Sequence, residues 1–219
     1  MITGAIFDVD GTLFDSMYVW DTIGGEYLRS IGYEPNPDIN ERFKKMTIID
    51  CANYYRDEYG VKKSVEELVD GINNMVEKYY FYEIQPKDGI LSFLEKLSEK
   101  GVKMSIATAT DEYLVDAALK RCNMRQYFNE IITCTQVGTG KREPKIYRTA
   151  LESIGTQKNK TVVFEDMYFA SLTAKNDGFL TAGIYDSHEK HQEEFKKSAD
   201  YYLQDYCDFD AFWKKFILL

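Results

Sequence analysis

The stretch Phe7-Asp8-Val9-Asp10-Gly11-Thr12-Leu13-Phe14-Asp15-Ser16 decides how this chain is read. The apolar run Thr3 to Phe7 leads into it and has the character of a buried strand. That strand ends in two carboxylates two residues apart, followed at once by Gly and Thr. In extended chain, residues i and i+2 point to one side, so Asp8 and Asp10 converge on a common ligand. In a parallel α/β sheet, ligands sit beyond the carboxyl ends of the strands, where Asp8 falls. Gly11 permits a turn that residues with a Cβ resist. Two carboxylates held together repel unless a proton or a cation intervenes, and Mg²⁺ is a suitable cation.

Working outward, short apolar runs alternate with amphipathic stretches. Strands are predicted at Val102 to Ala107, Glu130 to Thr133, Thr161 to Phe164, Leu180 to Ile184 and Tyr201 to Leu203. Helices are predicted at Gly89 to Lys100, Asp111 to Cys122, Pro144 to Ile154, Tyr168 to Asp177 and Ser187 to Lys197. This rhythm predicts a parallel sheet with helices on both faces, a three-layer Rossmann-like α/β core. From Ser16 to Glu83 the rhythm breaks. Val19, Ile23, Tyr27 and Leu28, then Val65, Leu68, Val69, Ile72 and Val76, recur at helical spacing with no strand between. We expect a small all-helical cap domain at 16–83, inserted after the first strand into an α/β core of 1–15 and 84–219.

Three more segments carry chemistry in the same order along the chain. Val102 to Thr108 is a strand ending in a hydroxyl. Lys141-Arg142-Glu143-Pro144-Lys145-Ile146-Tyr147 opens a helix with lysines. Val162-Val163-Phe164-Glu165-Asp166 is a strand ending in paired acids, an unfavourable arrangement unless positive charge lies beside it. Together with the opening stretch, these resemble the four motifs of the haloacid-dehalogenase superfamily, in the branch of β-phosphoglucomutases and phosphoglycolate phosphatases with a helical cap. Two departures stand out: Arg142 replaces the first proline of the third motif, and Met167 to Ala174 lacks the small-residue helix that usually follows the fourth.

The resemblance implies a Mg²⁺-dependent phosphohydrolase in which Asp8 is the nucleophile and Asp10 the general acid and base. It implies metal ligation by Asp8, Asp166 and the backbone carbonyl of Asp10, with Glu165 as a further ligand or an anchor behind the ligands. Thr108, the backbone N–H of Ala109 and Lys141 would hold phosphoryl oxygens, with Lys145 a second choice for the lysine. The implied partner is a small-molecule phosphate ester. Two alternatives stand beside hydrolysis: a phosphosugar mutase, and a non-catalytic binding protein on the same fold. Mutases of this branch carry a cap His five residues past the Asp of the closing D-S/T pair; here that position is Trp20, which we expect to pack in the cap core. Where they carry an Arg in the second cap segment, this chain has Ile48 and Ile49.

The remaining signals are bland. A net charge of −9 argues against nucleic-acid and anionic-membrane partners, and no apolar run reaches membrane-spanning length. Without a leader-like start, a cytoplasmic location is expected. Cys51, Cys122, Cys134 and Cys207 form no CxxC pair and are expected to be free thiols. Gly138-Thr139-Gly140-Lys141 lacks the first Gly and the Ser or Thr of a phosphate-binding P-loop. His188 and His191 are expected on a solvated helix face. Arg42, Lys44 and Lys45 form the one basic cluster of the insert, read as a solvated helix end.

Overall fold

The structure, a computed structural model, describes residues 1–43 and 46–217. Lys44 and Lys45, and with them most of the basic cluster, lie outside the described residues. Strands β1 (Gly4–Phe7), β4 (Lys103–Thr108), β5 (Phe128–Thr133), β6 (Thr161–Glu165), β7 (Leu180–Ile184) and β8 (Tyr201–Leu203) form one parallel sheet in the order β5-β4-β1-β6-β7-β8. Strand β1 is central, and the chain runs outward from it first on one side and then on the other. This is the strand reversal at which open α/β sheets place ligands.

Both faces of the sheet are buried, which is why its strands read as continuous apolar runs. Ala5 and Phe7 point to one face, where Phe7 stacks on Phe164 with ring centroids 4.2 Å apart. Ile6 and Val163 point to the other, against Ile146, Tyr147, Ala150 and Ile154. The flanking helices are α6 (Ile90–Glu99), α7 (Glu112–Arg121), α8 (Cys134–Val137), α9 (Lys145–Ile154), α10 (Tyr168–Asn176), α11 (Gln192–Ser198) and α12 (Phe209–Ile217).

Between β2 (Phe14–Asp15) and β3 (Gln85–Pro86) the chain is helical: α1 (Met17–Trp20), α2 (Ile23–Ser30), α3 (Ile39–Phe43), α4 (Ile48–Tyr59), α5 (Val65–Lys78) and a π-helical turn, Tyr79–Glu83. Local chemistry sets the two long helices. Thr47 with Asp50, and Ser64 with Glu67, close reciprocal capping boxes at their starts. Gly60, at φ +65°, ends α4 in the left-handed conformation. Strands β2 and β3 pair antiparallel where the chain leaves and re-enters the sheet layers. The buried apolar cluster runs without a break from Tyr27, Tyr55 and Leu68 of these helices into Phe93, Phe164 and Phe212 under the sheet.

One local expectation is corrected, and two helices went unpredicted. The helix predicted from Ser187 begins at Gln192, because Asp186 and Glu189 accept the backbone N–H groups of His188 (3.0 Å) and His191 (2.7 Å) and tie the segment into turns instead. The short helix α8 was not predicted; Thr133 and Gln136 cap it reciprocally. Helix α12 was also not predicted, and it buries Phe209, Phe212 and Phe216. Among the described residues, no helix is long and apolar enough to cross a membrane. All four cysteines are free.

Candidate active site

The carboxyl ends of β1, β4 and β6 bring the predicted residues together. Asp8 follows β1 directly, its N–H bonded to the carbonyl of Phe164 on β6 (3.0 Å), and its side chain is nearly buried. Lys141 reaches in from the turn before α9. Its ammonium contacts the Asp8 carboxylate and donates to Glu165 Oε1 at 2.8 Å. Tyr147, two residues past Lys145 in α9, donates to the same Glu165 oxygen at 2.7 Å. Asp166 is buried beside them, and the Thr12 hydroxyl approaches its Oδ1 at 3.4 Å.

Gly11 is the reason the turn after β1 can close over Asp166. Its φ is +75°, and a Cβ there would lie 2.3 Å from Asp166 Oδ2. No side chain fits in that space.

Oxygen atoms of Asp8, Glu165 and Asp166 all lie within 4.8 Å of one another, and all three residues are buried. Burial above all, then the Asp8 charge, pushes the Glu165 carboxyl up to about 8, although Lys141 and Tyr147 oppose the shift. Burial and the neighbouring charges of Asp8, Glu165 and Asp186 push Asp166 well above the usual carboxylate range. Burial disfavours the Lys141 ammonium, but Asp8 and Glu165 outweigh it and hold the proton more tightly. One lysine thus faces three carboxylates, and Glu165 Oε2 is buried with no hydrogen-bond partner. An orphaned carboxylate oxygen within an all-oxygen, electron-rich cluster fits a hard divalent cation.

Asp10 lies across the entrance from this cluster. Its carboxylate accepts from Ser16 (2.6 Å) and Tyr80 (2.5 Å) on Oδ1 and from Thr110 (2.6 Å) on Oδ2. Burial, the largest influence, and the Asp8 charge raise its pKa, while the three donors pull the other way. Tyr80 belongs to the π-helical turn of the insert, so one of the donors on Asp10 comes from outside the sheet layers. Trp20 Nε1 in turn donates to the Tyr80 hydroxyl at 3.0 Å. Trp20 packs against the buried apolar cluster from its edge, as expected in part. It is half-buried, lines the cavity over Asp8 and Asp10, and stands one hydrogen bond behind Tyr80.

Thr108 ends β4 fully buried, and its oxygen accepts the N–H of Thr110 at 3.1 Å; Ala109 and Thr110 face the cavity. Lys145 is not part of the cluster, since its ammonium binds the Val137 carbonyl at 2.5 Å. Arg42 is exposed, pairs with Asp38 at 2.7 Å and lies over the Tyr54 ring, as a solvated helix end should. His188 departs from its expected solvated face. Its Nδ1 lies 2.6 Å from Asp186, itself paired with Lys87, and its Nε2 lies 2.7 Å from Asp21 of the helical insert.

Sequence reasoning missed Ser16, Tyr80 and Thr110 on Asp10, and Tyr147 on Glu165. Ser16 closes the opening stretch, Thr110 stands two residues past Thr108, and Tyr147 ends the lysine-rich segment, so position alone marked each. Tyr80 carried no such mark among the Tyr79-Tyr80-Phe81-Tyr82 aromatics.

The chain is similar to several known proteins. A family model described as haloacid dehalogenase-like hydrolase matches residues 5–184. A phosphorylated carbohydrates phosphatase of Thermotoga maritima is 25% identical over 173 residues, 79% of this chain and 80% of that protein. A validoxylamine A 7'-phosphate phosphatase of Streptomyces hygroscopicus subsp. limoneus is 25% identical over 205 residues, 92% of each chain. The crystal structure of CbbY from Rhodobacter sphaeroides in complex with phosphate superposes with a TM-score of 0.83 at 22% identity, covering 95% of this chain and 96% of that one.

Proposed function

The chain belongs to the haloacid dehalogenase-like hydrolase family, and from that premise we propose that it is a Mg²⁺-dependent phosphatase of small phosphorylated metabolites, working through an aspartyl phosphate on Asp8. The observation that carries the reading is the convergence of Asp8, Lys141, Glu165 and Asp166 at one end of the sheet, with Asp10 two residues past Asp8 and hydrogen-bonded from three sides. The names of the phosphatase relatives support it.

An Asp8 carboxylate oxygen attacks phosphorus while the bond to the leaving alcohol breaks, and Asp10 gives that alcohol a proton. Water then attacks the acyl phosphate, Asp10 takes a proton from it, and the bond to Asp8 breaks to release inorganic phosphate. Asp8, Asp166 and the backbone carbonyl of Asp10 would hold Mg²⁺, with Glu165 behind or among them. The ion supplies positive charge that offsets repulsion between carboxylate and phosphate. Lys141, Thr108 and the N–H of Ala109 orient the remaining phosphoryl oxygens. In this reading residues 16–83 are a cap on a core of 1–15 and 84–219, and they exclude water from the site.

We favour hydrolysis over phosphosugar mutation because Trp20 stands where the mutases carry a His. Its N–H is a donor only, and Tyr80 already takes it. The test is release of phosphate from p-nitrophenyl phosphate and a panel of metabolite phosphates. Wild-type protein with Mg²⁺ should turn over; Asp8→Asn should lose several orders of magnitude in kcat. Retained turnover in Asp8→Asn refutes the proposal.

A further inference from the structure

Helix α5 buries Leu68, Ile72 and Val76, and with them it buries one amide, Asn73, which is 5% exposed. A polar side chain on a buried helix face is costly unless its groups are paired. Half of Asn73 is paired. Its Nδ2 donates to Asp111 Oδ2 at 2.5 Å and so ties the insert to the segment that follows β4. A carboxylate oxygen accepts, so the amide nitrogen must face Asp111, and the amide oxygen is left over. Among the described residues, that Oδ1 is buried without a hydrogen-bond partner. Asn73 lines the cavity that begins at Asp8 and Asp10, about 350 Å³ in all, and a donor seated there would complete the amide. Thr110, next to Asp111 in the chain, donates to Asp10, so Asn73 is tied to the same short segment that serves the proposed general acid.

We propose that Asn73 determines specificity: its side-chain oxygen accepts a hydrogen bond from a hydroxyl on the alcohol half of the substrate. The inference rests on the phosphatase reading above and narrows it. Arg142 and Glu143 line the same cavity, but both are exposed to water and offer hydroxyls a looser welcome. Asn73 Oδ1 is buried and orphaned. A hydroxyl that reaches it relieves a penalty the free protein already carries, and an ester that lacks one gains nothing there. The difference should be about tenfold in affinity or more.

The test crosses substrate with residue. Glucose 6-phosphate, ribose 5-phosphate and glycerol 3-phosphate are primary alkyl esters that carry hydroxyls; cyclohexylmethyl phosphate is one that carries none. Wild-type protein with Mg²⁺ should turn over the best of the hydroxylated esters with kcat/KM at least about tenfold above cyclohexylmethyl phosphate. In Asn73→Leu that ratio should fall about tenfold or more. Loss of the bond to Asp111 weighs on every ester and cancels in the ratio. Circular dichroism checks the fold, and the wild-type comparison stands should the variant not fold. Cyclohexylmethyl phosphate matching or beating every hydroxylated ester in the wild type overturns this inference and leaves the phosphatase reading intact. An unchanged ratio in folded Asn73→Leu overturns the assignment to Asn73. No turnover of any ester, p-nitrophenyl phosphate included, defeats the phosphatase reading and this inference with it.

Discussion

Replacing Gly11 by Ala adds one methyl group at the tightest point of the site. Two penalties follow from the geometry. At φ +75° an alanine occupies the left-handed region, which costs about 1–2 kcal/mol. The new Cβ would lie 2.3 Å from Asp166 Oδ2, whereas ordinary contact begins at 3.4 Å, so the carboxylate must retreat by about 1 Å. Metal sites accept ligand distances within about 0.2 Å of ideal, and a retreat of that size takes Asp166 out of play. For a chain of this length the backbone penalty alone lowers Tm by about 2–8 °C. Loss of the ligand should raise the half-saturating Mg²⁺ concentration at least about tenfold, the lower end of what disturbing a ligand's support does. Gly60→Ala is the control: φ is +65° there, but nothing lies within 4 Å of the added Cβ. Thermal melts and Mg²⁺ activation curves on both variants separate the two effects. Both should lose stability; only Gly11→Ala should lose metal affinity. A Gly11→Ala protein with wild-type Mg²⁺ dependence would refute the proposal that Asp166, against which this turn packs, holds the metal.

Tyr80→Phe removes the acceptor for Trp20 Nε1 and one donor to Asp10, so stability should fall by about 1–3 kcal/mol in chemical denaturation; an unchanged midpoint would mean the chain of hydrogen bonds contributes nothing. Lys141→Met leaves Asp8 and Glu165 without their shared cation and should cost about 3–5 kcal/mol above pH 8, where Glu165 is ionised, and less at pH 6, where it carries a proton; a loss that does not shrink on acidification contradicts the pairing. Glu165 also sets a pH dependence in the metal-free protein. Its folded pKa, about 8, lies above the unfolded value of about 4.3, so its contribution is full below pH ~4.3 and is lost as pH rises toward 8. In EDTA, stability should decline across that window more steeply in the wild type than in Glu165→Gln, and Mg²⁺ should flatten the wild-type slope.

How much of this was legible depended on distance along the chain. The four motif segments are each local, and a strand ending in carboxylates declares where its side chains go. Asp8, Asp10, Lys141, Glu165 and Asp166 were therefore all named from sequence, and the structure brings their side chains together around one entrance. The sheet followed from the same apolar runs, because strands buried on both faces leave no polar alternation to confuse them. What escaped depended on contacts between remote residues. Tyr80 reaches Asp10 across 70 positions, and nothing local distinguishes it from Tyr79 or Tyr82. Trp20 was assigned to the core by its apolar neighbours and does pack against it, but its N–H needed an acceptor, and the buried Tyr80 provided one beside the cavity. The turns at 186–191 defeated helical periodicity because two carboxylates bond to backbone N–H groups of their own segment. His188 is bridged to Asp21 across 167 positions for the same reason that sequence could not foresee it: the partner lies in the insert.

The central place of β1 has a consequence for how the chain reaches this state. Gly4 pairs with Lys103 on one side and with Thr161 on the other, and the same offset holds along the strand. On the ribosome, β1 therefore emerges long before either neighbour exists to receive its hydrogen bonds. The helices of the insert can gather from contacts close in sequence while it waits. Closing loops of this length is slow, and an unpaired apolar strand invites misplaced partners in the meantime. The segment bearing Asp8, made well before both of its partner strands, is thus among the last to be locked in place. Conditions that delay synthesis or docking of β6 should increase chaperone dependence and aggregation before they alter the activity of molecules already folded.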